Sequence, residues 1–222
     1  MNNWEKLRSV GTLLAAIAAI AAVIVAVNAM KVSHQTNLPI ISAISTIRYD
    51  ETEGWWSEEL VVNNDGFPLR EFHCYVSTVI KISVGAEEPT YIPIYGYFGI
   101  VGNYTGSSKG LLVSMSEKGN YSLCSSIDLD FWDEASKDGY SAVAWLYIIL
   151  SVSYEDYTRA SWQEYYFVGT SGSWKISEDH AWTILDSATA NGELRESEGL
   201  NCYMSALNGT ELWHWYKGKY LG

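Results

Sequence analysis

From residue 10 to residue 30 every side chain is apolar or small except Thr12 and Asn28. Wound as an α-helix at about 1.5 Å per residue, such a run reaches about 31 Å, close to the hydrocarbon thickness of a bilayer. The sequence therefore predicts a single transmembrane anchor over residues 10–30, preceded by a short flank at residues 1–9. A cleaved signal peptide is the first rival, because Lys6 and Arg8 form a basic flank and Val27-Asn28-Ala29 resembles a small-x-small cleavage site. The run is longer than an ordinary signal-peptide core, which favours a retained anchor. A buried soluble helix is the second rival, since seven of the fifteen residues from 13 to 27 are alanine, a weakly lipophilic residue.

Lys6 and Arg8 precede the run, Lys31 follows it, and the next basic residue is Arg48. That bias puts the N-terminus in the cytoplasm and exports the remainder, giving a single-pass protein of the cell membrane. Membrane lipid is then the partner of residues 10–30. Gly11, Ala15, Ala18, Ala19, Ala22 and Ala26 recur at three- and four-residue spacing, a small-residue face through which two such helices could self-associate.

Residues 31–39 are mostly polar and end at Pro39, as a juxtamembrane linker would. Beyond them, at residues 40–222, the hydrophobic period changes to two. Phe72, Cys74, Val76, Thr78, Ile80, Ile82 and Val84 share one face of a strand, and Ala144, Leu146, Ile148, Leu150, Val152 and Tyr154 share one face of another. Asn63-Asn64-Asp65-Gly66 reads as a turn before the first of these, and residues 155–160 as a turn after the second. Residues 91–100, with Pro93 inside, read as an edge strand. Leu123, Ile127, Leu129 and Phe131 alternate with Cys124, Asp128 and Asp130, which reads as a further strand with its aspartates in solvent. After Trp174 the period turns helical: Ser177 can cap a helix holding Ala181, Ile184, Leu185 and Ala188, which Asn191-Gly192 would end, and a weaker helix follows at 193–207. The expected fold is a mainly-β domain at 40–222, an antiparallel β-sandwich or partly open barrel with one or two short C-terminal helices.

Chemistry is sparse. A net charge of -12 argues against a phosphate-binding surface, so nucleic acid is not an expected partner. His34, His73, His180 and His214 fall at no metal-ligand spacing, the acids from Asp128 to Asp138 miss the offsets of a calcium loop, and no cofactor motif is present. The sequence points to no catalytic residue. Three cysteines cannot all pair: Cys74 reads as a buried thiol, and Cys124 with Cys202 as a possible disulfide. What remains is aromatic: Trp55, Trp56, Trp213, Trp215 and Tyr216 form two clusters that could line a ligand-binding surface or fill the core. The resulting expectation is a membrane-anchored, non-catalytic binding or sensing module with a protein or glycan partner. One alternative is a cell-surface polymer hydrolase using Asp128, Asp130 or Asp133. The other is a structural subunit of a surface filament or membrane complex.

Overall fold

The computed structural model describes residues 20, 22–28, 30, 38–52, 54–98, 101–104, 108–118, 120–197, 200–204 and 206–222. The chain divides into two units, Met1–Leu38 and Pro39–Gly222. In the first, residues 20, 22–28 and 30 are helical and every one of them is exposed. The anchor expected over 10–30 lies largely outside the described residues. Among the described residues, no helix is long and apolar enough to cross a membrane.

The second unit is mainly β and antiparallel. Its elements run β1 (Ile41–Asp50), β2 (Trp55–Val84), β3 (Thr90–Pro93), β4 (Val101–Tyr104), β5 (Ser108–Lys118), α1 (Asn120–Lys137), β6 (Ala142–Glu155), β7 (Ser161–Gly169), β8 (Gly172–Ile176), α2 (Glu178–Ser197) and α3 (Gly209–Tyr216), the last continuing into a π-helical turn, Lys217–Leu221. The 30-residue strand β2 serves both layers. Its first part pairs with β1 and β5, and its second part pairs with β3, β4 and β6, which continues the sheet into β7 and β8. The layers meet again at their edges, where the Ala43 amide donates to Ser173 Oγ at 2.9 Å. The result is sandwich-like.

The Asn63-Asn64-Asp65-Gly66 turn is a corner inside one strand. Asn64 is fully buried there, and its side chain does the work of a turn: Oδ1 accepts from the amides of Ile40 and Gly66, and Nδ2 donates to the carbonyls of Phe67 and Ser108. Satisfying four backbone groups from one buried amide lets the chain bend without orphaning them. Glu71, at φ 46°, completes the bend beside a register shift in the β2–β6 ladder.

The two long period-two faces pack as their patterns require. Cys74, Ile80, Ile82 and Val84 of β2, with Ile148, Leu150 and Val152 of β6, face Leu60 and Val62 across the main core. On the outer side of the same sheet, Val79, Ile149 and Phe167 are covered by Ile184 and Ala188 of α2. The Ser177 cap is present, with the His180 amide donating to Ser177 Oγ at 3.2 Å. Asn191-Gly192 does not end this helix. Asn191 Nδ2 instead donates to the Tyr91 carbonyl at 2.9 Å, and Gly192 lies so close to β3 that a Cβ would stand 2.7 Å from Pro93. The helix runs on to Ser197 and so takes up the first residues of the weaker helix read at 193–207, while residues 200–204 are not helical. The edge strand expected at 91–100 is only four residues long.

The segment read as a strand at 123–131 is helix α1. Its apolar residues satisfied both periods, but among the side chains described Ile127, Phe131 and Ala135, at i, i+4 and i+8, are the buried ones, while Leu129 is 65% exposed. Lys137, reaching back to Asp133 and Glu134 at 2.7 Å each, adds helical pairs that alternation does not register.

Candidate functional site

Side chains facing inward from the first part of β2 are Glu58, Leu60, Val62 and Asn64. Three of the four suit a core; Glu58 is a carboxylate only 5% exposed. Its two oxygens accept hydrogen bonds from the hydroxyls of Ser45 and Tyr97, both also buried. Each oxygen retains further acceptor capacity, since a carboxylate offers about four lone-pair sites. Directly opposite Glu58 in the β2–β5 ladder stands Glu117, whose Oε1 accepts from the Phe98 amide at 2.9 Å.

Glu58 lines a cavity of about 250 Å³ where β1 and β2, α1, the start of β6 and the end of β7 converge. Ile47, Leu146, Ile148 and Val168 form much of its wall, and Asp128 of α1 contributes a second carboxyl. Asp128 is fixed by accepting the Ala144 amide on Oδ1 at 3.0 Å. Among the described residues, no Lys, Arg or His lines this cavity. In a low-dielectric wall, two carboxyls without a base make a concentrated negative potential. Two residues further along the same inner face, Tyr49 and Trp56 stand opposite one another, with ring centroids 5.2 Å apart and both rings exposed. They follow the Ile47–Glu58 pair by about 7 Å of strand.

Glu164 shows how the molecule treats another inward acid. Lys175 Nζ meets it at 2.5 Å and the Tyr166 hydroxyl donates to it. Burial pushes the Tyr154 and Tyr166 phenols up, and the neighbouring Glu164 carboxylate raises them further. That acid has a cationic partner, whereas among the described residues none lines the cavity around Glu58. A larger cavity, about 310 Å³, lies between β2, the chain following β3 and α2. Among the described residues its wall has no Asp, Glu, Lys, Arg or His.

The residues singled out in the sequence scatter. Trp56 is exposed and stands opposite Tyr49; Trp55 is also exposed, but on the opposite face of the hairpin, opposite Asp50. Trp213 and Tyr216 are core residues, exposed 0% and 2%, because α3 docks on α1 and turns both rings onto Phe131. They are not available to a surface ligand. Trp215 is half-buried, with Lys219 Nζ 5.0 Å above its ring. Asp130 and Asp133 are exposed on α1, so of the three acids considered for hydrolysis only Asp128 reaches the cavity. Cys74 and Cys202 are buried free thiols; Cys124 stands on α1, and its side chain lies outside those described. Glu58 escaped the sequence reading because a single Glu in a strand looks like a solvent residue. The available signal was its parity with Leu60 and Val62.

Comparison with protein-family models, with curated proteins and with solved structures returned no match.

Proposed function

We propose that this chain is a membrane-anchored binding module: a β-sandwich held at the cell membrane by residues 10–30 and presenting a ligand cavity on its exported domain. The observation that carries the binding role is the buried Glu58 carboxylate lining a largely apolar cavity of about 250 Å³. A buried acid is retained against a desolvation penalty, and a concave, largely apolar wall with few polar groups is the usual form of a small-molecule site. The anchor is supported by the length of the apolar run and by the exposure of residues 22–28. These span about two helical turns, so apolar side chains on every face need a cover such as lipid.

The test uses the full chain in maltoside micelles, mixed with a panel of small amines, polyols and oligosaccharides and followed by ligand-detected NMR over hours. Magnetisation transfer to one class without new product resonances is the expected result. Product resonances would replace the binding role with catalysis, and absence of transfer to any class would remove it. For the anchor, carbonate washing should leave the chain with the membrane fraction; release by carbonate would overturn that part.

A further inference from the structure

We infer that the end of the domain at which the chain enters lies against the bilayer, with Ile40, Phe67, Leu111 and Tyr157 facing lipid. This orientation rests on the anchor proposed above and specifies which surface of the domain meets the membrane. Nine residues, 31–39, separate the apolar run from Ile40, and a chain of that length reaches about 30 Å at most. Ile40 therefore stays near the headgroups of an anchored chain. Five strands meet around it: β1 and β5 start at this end, β2 bends here at Asn64, and β6 turns here into β7. Asn64 ties the end together, since its side chain bonds the Ile40 amide and the Phe67 and Ser108 carbonyls. Leu111 stands opposite the adjacent Asn63, and the Phe67 and Tyr157 rings meet with centroids 5.5 Å apart.

Exposure and charge together select lipid. In chain order the four residues are 59%, 41%, 61% and 45% exposed, an apolar and aromatic rim at the point where the linker arrives. Around it Arg70, Lys109 and Arg159 are exposed, against Asp65, Glu71 and Glu155, so this end is near neutral in a chain of net charge -12. Aromatic rings beside lysine or arginine suit a membrane interface, where the rings sit at headgroup level and the long cations reach back to water or phosphate. The opposite end fails the same test. β1 carries the chain about 30 Å away to its turn into β2. Tyr49, Trp55 and Trp56 are exposed there too, but segment 49–56 contains Asp50, Glu51 and Glu53 and no base. Such acids are costly to desolvate, and anionic headgroups repel them.

The experiment reconstitutes the full chain in phosphatidylcholine vesicles with one nitrobenzoxadiazole label, at Leu111→Cys or, on the far turn, at exposed Thr52→Cys. Cys124→Ser is present throughout, and Cys74 and Cys202 are buried and stay unlabelled. A lipid with a headgroup nitroxide is expected to quench the Leu111 label at least threefold more than the Thr52 label. Phe67→Asp with Tyr157→Asp should bring the two labels to within a factor of two. Both replaced side chains are exposed, and a thermal melt of each variant checks that the fold is kept. Equal or stronger quenching at Thr52, in a chain that carbonate leaves with the vesicles, would overturn the orientation while the anchor stands. Low quenching of both labels in such a chain would also overturn it and leave the rim to a protein partner. Release of the chain by carbonate would remove the anchor, and the orientation with it.

Discussion

Replacing Trp213 with alanine separates a structural tail from a binding tail. The indole is fully buried, meets Phe131 edge-on at 5.5 Å and Tyr140 at 5.5 Å, and stacks on Tyr216 at 6.3 Å. Its Nε1–H donates to Asp138 Oδ2 at 2.7 Å. Asp138 also holds Lys217, and hydrogen bonds from Lys217 and then Trp213 keep its carboxyl below the usual range. Truncating a buried tryptophan to alanine costs about 3–5 kcal/mol in lost transfer energy plus a cavity that surrounding rings fill only in part. At about 2–4 °C per kcal/mol for a domain near 200 residues, the melting temperature should fall by roughly 6–20 °C. Trp213→Phe, which keeps most of the ring packing and loses the indole bond, should fall by less. The assay is thermal unfolding of the full chain in detergent followed by near-ultraviolet circular dichroism, with half-buried Trp215→Ala alongside as a milder comparison. An unchanged melting temperature for Trp213→Ala would refute the assignment of this ring to the core and return it to the surface.

Gly209→Ala should destabilise by about 1–3 kcal/mol, the usual range for overpacking, because the new Cβ would lie 2.2 Å from the Ile127 carbonyl and 2.5 Å from the Phe131 amide, both backbone; denaturant unfolding would measure it, and wild-type stability would show that α1 and α3 are not in such contact. Asp156 is buried in the β6–β7 turn: burial pushes its carboxyl up, but hydrogen bonds from Thr158, Trp162 and Ala160 outweigh this and hold it below the usual range. Its folded value being depressed, the stability it contributes is fully present above the unfolded value near about 3.9 and is lost as pH falls through the folded value. The stability gap between wild type and Asp156→Asn should therefore narrow on acidification; a gap independent of pH down to strong acid would contradict this. Burial pushes the Cys74 thiol up to about 12, so an uncharged thiol reagent should modify Cys74 only on unfolding, as mass spectrometry of native and urea-treated protein would record. Rapid native labelling at Cys74 would show that this strand opens locally.

Much of the domain follows from parity along the chain. The faces of β2 beyond its corner and of β6 are fixed by alternation alone, since a one-residue slip would turn every apolar side chain into water. The cap at Ser177 is equally local, because one hydroxyl three residues before an amide suffices to start a helix. Where two local rules agreed with the same residues, only packing chose. Leu123, Ile127, Leu129 and Phe131 fit a strand as well as a helix, and the contact of α1 with α3 through Gly209 selected the helix, burying Phe131 against Trp213 and exposing Leu129. The same contact took Trp213 and Tyr216 out of any surface. Asn191-Gly192 and Asn63-Asn64-Asp65-Gly66 carry stop and turn chemistry, yet long-range partners turned one into a packing seam and the other into a corner. The cavity belongs wholly to the tertiary level. Glu58 and Asp128 lie on β2 and α1, separated by 70 residues of chain, and no local pattern links them. Their juxtaposition depends on β2 bending at Asn64 so that its first part folds back over the sheet carried by its second.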